Sequence, residues 1–277
     1  MRNCIIWILF AYIVIFGHPL FAQESVPKVY LPKLGAEITI QAPHFVGVGE
    51  QFKVKFTCSK ELTNVEIEPS NDLKLLAGPS KSSTTSIRVV NDTTQKETKF
   101  DYTCIYESKQ IGTFRIPSLI LKDTEESTDT LLLHIKVENR PTSSKDTVFV
   151  KAVLDKEQIQ LGDSITLSLK IYTTTSELNL DPYYFDFPYC YIEEKGTVED
   201  NSQWEVETYE EISYYTHTFR KFLLTPLQHG NIEIPKVEFN FMLQTTSNVN
   251  PFDAFFGTPR YKKETVYTAP ITIKVTP

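Results

Sequence analysis

The sequence holds little of what chemistry on phosphates, metals or redox cofactors requires. Ten glycines in 277 residues leave scant material for a phosphate-cradling loop, and neither a Gly-rich loop nor a G-x-S-x-G elbow occurs. Beyond the first 22 residues histidine stands only at 44, 134, 217 and 229, none paired at metal-ligand spacing. His134 falls on the polar side of the alternation Leu131, Leu133, Ile135, Val137, and His229 sits at a turn, so both read as solvated. Lys and Arg number 28 against 35 Asp and Glu, and a net charge of −7 with pI near 5.4 supplies no basic stripe for nucleic acid or anionic lipid. Helical periodicity is nowhere sustained, and 2 Met against 14 Tyr and 18 Phe lean towards strands. The adjacent carboxylates Glu193-Glu194 and Glu210-Glu211 would point to opposite faces of a strand and so form no acid and base unit. Cys190 reads as a buried thiol, with a mixed disulfide between chains as its alternative. No catalytic residue, cofactor or metal is expected, and the chain is read as not an enzyme.

What is present is a repeat. Ile111-Gly112-Thr113-Phe114-Arg115-Ile116-Pro117 returns as His229-Gly230-Asn231-Ile232-Glu233-Ile234-Pro235, each a glycine turn and a short strand ending at proline. Upstream, VGVGEQFKVKF from Val46 matches IQLGDSITLSLKI from Ile159. The offsets agree, 162 − 49 = 113 for the first glycines and 230 − 112 = 118 for the second. A repeat of about 115 residues is large enough for its own core, so two domains are expected.

Residues 1–22 read as an export signal, with Arg2 as the one charge, an apolar run from Cys4 to Phe16 and a break at Gly17-His18-Pro19. That run is short for a membrane span, and no second run of spanning length follows. An extended leader covers 23–35. The first unit spans 36–139, a polar linker with Pro141 occupies 140–146, and the second unit spans 147–277 with a long aromatic loop at 244–264. Within the units Phe52, Val54, Phe56 and Cys58 alternate with Gln51, Lys53, Lys55 and Thr57, and Ile165, Leu167, Leu169 and Ile171 do the same. Strands flanking Asn91-Asp92-Thr93-Thr94 read as a hairpin. The expected fold is all-β, two tandem immunoglobulin-like β-sandwiches after a signal peptide.

Cys58 and Cys104 would hold the second and sixth strand places of such a sandwich, with Tyr102 as a tyrosine corner. A bridge closing 104 − 58 = 46 residues could stabilise by roughly 4 kcal/mol, and two buried free thiols are the alternative. No Trp lies between them, and the offsets place apolar Ile171 and Phe222 at the matching sites. Two aromatic clusters stand out. Tyr183, Tyr184, Phe185, Phe187, Tyr189 and Tyr191 surround Pro182 and Pro188 and read mainly as packing, with a face for a partner or a sugar as the functional reading. Phe252, Phe255 and Phe256 lie in a loop bounded by Pro251 and Gly257 and either fold back or dock on a partner or membrane surface.

The signal, VGVGEQFKVKF, Gly78-Pro79-Ser80 before a Ser/Thr-rich strand, the Asn91 hairpin, the Tyr102 strand running into GTFRIPSL, FVKAVLDKEQIQLGDSITLSLKIYT and NPFDAFFG together resemble the BatD oxygen-tolerance family. The resemblance implies a non-enzymatic envelope component, exported to the periplasm of a Gram-negative bacterium. Its expected partners are von Willebrand A-domain or TPR envelope proteins, and nucleic acid is not among them. Members usually carry a C-terminal membrane helix; here, where Val275-Thr276-Pro277 follows the second unit, membrane association is expected only through partners or an uncleaved signal. Von Willebrand A domains often hold a divalent ion completed by a partner's carboxylate, which makes Asp253 among its Phe neighbours a candidate contact. A carbohydrate-binding or adhesin-like module is the rival reading.

Overall fold

A computed structural model describes residues 19–21, 27–90, 93–128, 133–139, 147–175, 177–195, 204–245 and 260–277. All its regular elements are strands. A short β1 (Pro19–Phe21) comes first, followed by β2 (Lys28–Leu31), β3 (Ala36–Gln41), β4 (Phe45–Gly47), β5 (Gln51–Cys58) and β6 (Val65–Ile67). The first unit continues with β7 (Lys74–Val90), β8 (Thr93–Glu107), β9 (Gly112–Arg115), β10 (Leu119–Leu121), β11 (Glu126–Ser127) and β12 (His134–Glu138). The second unit opens with β13 (Val148–Leu154), β14 (Gln158–Gln160), β15 (Ile165–Thr173), β16 (Glu177–Leu180), β17 (Cys190–Glu194) and β18 (Glu205–Tyr209). It closes with β19 (Ile212–Pro226), β20 (Gly230–Ile234), β21 (Glu238–Thr245), β22 (Arg260–Tyr267) and β23 (Ile271–Thr276).

Each unit is a sandwich because its strands alternate. On β5 every second residue from Phe52 to Cys58 is buried, and on β15 every second residue from Ile165 to Ile171. The first main sheet runs β2-β3-β5-β8-β7, and its inward residues share one core with those of two smaller sheets, β4-β12-β9 and β11-β10-β6. The second main sheet runs β13-β15-β19-β17 with β18 also on β19, and shares a separate core with β14-β23-β20 and β1-β16-β21-β22. The repeat seen in the sequence is thus repeated pairing. β12 runs parallel to β4 and antiparallel to β9, as β23 does to β14 and β20. The matched turn glycines, Gly49 and Gly162, both hold positive φ, 74° and 99°, which side-chain-bearing residues resist.

Register carries the repeat into the core. Val54 faces Cys104 across β5 and β8, and Leu167 faces Phe222 across β15 and β19, the same pair displaced by the two offsets. This overturns the candidate bridge between Cys58 and Cys104. Both thiols are buried and free, on neighbouring strands of one sheet, and Cys58 faces Phe100. Four residues of strand separate the two positions, about 13 Å along the sheet, whereas a disulfide needs Cα atoms within about 7 Å.

Pro19–Phe21, inside the segment read as an export signal, pairs along β16 as an edge strand. The linker 140–146 lies outside the described residues.

Tyr102 does act as a corner, though to a distant loop. Its buried hydroxyl accepts the Leu62 N–H at 2.6 Å and donates to the Leu62 carbonyl at 3.0 Å, pinning the loop after β5. Tyr102→Phe removes both bonds and leaves a buried N–H and C=O unpaired. The expected cost is about 1–3 kcal/mol, read as a lower urea midpoint at unchanged slope.

Candidate interaction surfaces

The residues that could carry chemistry are scattered. Among the described residues no group of three or more His, Cys, Asp or Glu could hold a metal ion. Burial lowers the pKa of His44 and His217, Glu205 opposing the shift at His217, and the His217 ring lies 5.4 Å from that of Trp204. Burial pushes the Cys104 thiol up to about 12 and the Cys190 thiol up to about 11, from an ordinary 9.0, so neither is a nucleophile at neutral pH. Glu194 lies 3.3 Å from Arg220, while Glu193 is exposed. Glu210 and Glu211 correct the sequence reading, since they form a turn and not a strand. Tyr209 pairs with Ile212, and both carboxylate residues take positive φ, 50° and 68°, which the twist of a two-residue hairpin turn demands. In a cleft of 670 Å³, Arg115 is engaged by Glu68 at 2.8 Å, Lys122 by Glu66 at 3.0 Å, and Glu126 by the N–H groups of Lys33 and Leu34.

Three features of the surface are built rather than incidental. The first is a joint between the units. Glu138, at the end of β12, is only 7% exposed, and it accepts from the Ser213 N–H and the Ser213 hydroxyl, each at 3.0 Å. Lys136 reaches the same carboxylate at 2.6 Å and the same hydroxyl at 2.8 Å. Beside it the Tyr215 hydroxyl accepts the His44 N–H at 3.0 Å, and its ring stacks on Phe45 at 4.5 Å. The start of β19 is thereby fastened to β4 and β12 of the preceding unit.

The second feature is an aromatic cluster on the outer face of the second main sheet. Phe149, Tyr172, Tyr209 and Tyr214 pack edge and face, and the Lys151 ammonium sits 3.5 Å from the Tyr209 ring centre and 4.9 Å from that of Tyr172. Lys170 pairs with Glu207, which also accepts from the Tyr172 hydroxyl at 3.0 Å; burial first, then Glu207, pushes that phenol up to about 12. The chain's own lysine fills this ring set. Sequence reading passed over it, although Phe149 and Lys151 share the outward parity of β13.

The third is the Tyr183 to Tyr191 segment, which divides along its length at the positive φ of Tyr189, 57°. Tyr183, Phe185 and Phe187 pack on the core, whereas Tyr189, in the turn before the edge strand β17, and Tyr191, on β17 itself, stand 62% and 65% exposed. Leu227, 68% exposed, lies beside them, its N–H bonded to the Tyr189 carbonyl at 2.8 Å. Phe252, Asp253, Phe255 and Phe256 lie outside the described residues.

The class defined by these features is a repeated β-sandwich module whose open features are surfaces and edges. A family model described as BatD DUF11 like domain matches residues 41–137 and 152–275, and the chain belongs to that BatD family. Family membership supports a surface or envelope module. No curated protein matches the chain. Among solved structures, the type II cohesin dyad from the adaptor ScaA scaffoldin of Acetivibrio cellulolyticus is 10% identical over 86% of this chain and 99% of its own, with a TM-score of 0.24. The collagen adhesin CNA from S. aureus is 10% identical over 85% of this chain and 94% of its own, with a TM-score of 0.19. Likenesses at such scores carry no argument about function.

Two outcomes follow. Glu138→Ala strips the joint of its acceptor and leaves Ser213 N–H unpaired, so differential scanning calorimetry should resolve one cooperative transition into two, with a loss of about 1–3 kcal/mol. The thiol shifts have a sign as well. Because burial raises both pKa values, the folded state is favoured below the ordinary 9.0 and loses that advantage as pH climbs towards 11 and 12. Alkylation of native Cys190 at pH 7.5 should accordingly run about a hundredfold slower than that of an unshifted thiol and accelerate up to pH 11.

Proposed function

We propose that the chain is a non-enzymatic adaptor of the cell envelope, exported to the periplasm, which binds partner envelope proteins and through them contributes to tolerance of oxygen or other stress. The observation that carries this reading is the disposition of its open groups. Where an enzyme needs titratable groups converging in a cleft, the described ionisable groups here are paired, solvated or buried singly, while strand edges and the Tyr189 and Tyr191 rings face outward. Edges and exposed rings suit recognition of protein.

The proposed partners are von Willebrand A-domain and TPR proteins, with Asp253 completing the coordination of a divalent ion held by the former and Phe252, Phe255 and Phe256 flanking it. Affinity capture from envelope extracts, with and without magnesium, should enrich such proteins, and Asp253→Asn should abolish the magnesium-dependent part. Equal capture by the variant, with the same magnesium dependence, removes Asp253 from the account; recovery of no envelope protein removes the adaptor.

One observation favours a second reading. Tyr189, in the turn before β17, and Tyr191, on β17, are both exposed rings next to exposed Leu227, and exposed rings can stack on a sugar. Glycan binding by the isolated chain that is lost in Tyr189→Ala/Tyr191→Ala would make it a carbohydrate-binding module instead.

A further inference from the structure

The hairpin of β7 and β8 outgrows the sandwich that carries it. The last pair between β5 and β8 is Cys58 with Phe100, yet β7 and β8 go on pairing from Thr84 with Lys99 out to Val90 with Thr93. Every residue from Lys81 to Arg88 is exposed, so both faces of the distal ribbon lie in water. A two-stranded ribbon of this kind is marginal by itself.

Its outer edge is also unguarded. In the main sheet β7 is the terminal strand, and in its proximal half the pairing is broken by register shifts at Leu75/Ala77 and Ala77/Ser80, with Pro79 between. Gly78 holds that kink at φ 107°, where a Cβ would stand 2.4 Å from the Thr103 carbonyl oxygen. Such bulges and prolines keep edges from pairing. Elsewhere β22 ends its sheet with Arg260, Lys262 and Lys263, and β17 ends its own with Glu193 and Glu194 after Pro188. From Lys81 to Val89 there is no proline, no bulge and one charge besides Lys81, namely Arg88; Lys81 itself is held by Glu61 at 2.5 Å.

We propose that this edge pairs antiparallel with the same edge of a second copy, centred on Thr85. The pairing is self-complementary. Lys81 falls opposite Val89, Ser82 opposite Arg88, Ser83 opposite Ile87 and Thr84 opposite Ser86, so no charge meets another. At the centre Thr85 meets Thr85, repeating the hydroxyl contact of 3.0 Å that Thr85 already makes with Thr98 across the hairpin. Nine residues give a seam of roughly 30 Å, and an isologous contact closes on itself as a dimer. Edge pairing without an apolar core covers less than a standard interface, so the dimer is weak and depends on concentration.

Sedimentation velocity on the protein expressed from its full sequence tests this. The mass should rise from one chain to two through roughly 10–100 μM, the range expected of a small interface. Thr85→Lys and Thr85→Glu, with circular dichroism unchanged, should each remain single, and their equimolar mixture should restore the two-chain species. Should either variant fail to fold, Thr85→Cys in a Cys190→Ser background should give an oxidised dimer that Lys53→Cys, exposed on β5, does not. A wild-type mass of one chain throughout, self-association of the Lys variant, or cross-linking at Lys53→Cys equal to that at Thr85→Cys overturns the proposal. The proposal is independent of the adaptor reading: capture of envelope proteins by a chain that stays single would leave that reading standing and end this one.

Discussion

The antiparallel pairing of two long strands at the centre of each main sheet, β5 with β8 and β15 with β19, is the constraint on which the rest depends. A strand presents alternate residues to opposite faces, so a slip of one residue would turn Phe52, Val54, Phe56 and Cys58 into water together. Once Val54 faces Cys104, the inward faces of both strands are fixed, and with them which residues of β10 and β12 can meet the core. The second unit solves the same problem with Leu167 against Phe222. That the register survives while the residues change, cysteine to phenylalanine at one site, indicates that position and apolar character matter there and sulfur chemistry does not. The free state of both thiols follows from the same register.

Two cores joined by a short linker are commonly independent, but here a carboxylate couples them. Glu138 is buried, and a buried carboxylate is costly unless hydrogen-bonded; Ser213 and Lys136 supply those bonds from both sides of the joint. Tyr215 and Phe45 exclude water beside it. The placement of one unit's surface is therefore set in part by the other.

Much of this was legible in the residues. Strict alternation marked β5 and β15, the glycine turns marked the repeat, and Tyr102 announced a buried hydroxyl. Alternation, however, tells which face a side chain takes and not which sheet its strand joins. Alternation rightly places Cys58 and Cys104 inside, yet the sandwich pattern sets them on opposing sheets, whereas their strands are neighbours in one sheet. Glu138 gives no signal in the sequence, since its burial depends on Ser213, 75 residues away. Glu210 and Glu211 looked like strand because no glycine or asparagine announced the turn they make. The ribbon was read as a hairpin, but a Ser/Thr-rich strand has the same sequence whether one face or both lie in water, so its reach beyond the sandwich was hidden.

The central claim is that rigidity concentrates in the two central strand pairs while the distal ribbon stands without a core. Native-state amide hydrogen exchange, at a dilution where copies are separate, tests it most directly. The account predicts slowest exchange in β5, β15, the proximal half of β8 and the centre of β19, with amides of residues 82–88 and 94–99 exchanging faster by orders of magnitude. Ribbon amides as protected as those of Val54 and Leu167 would contradict it.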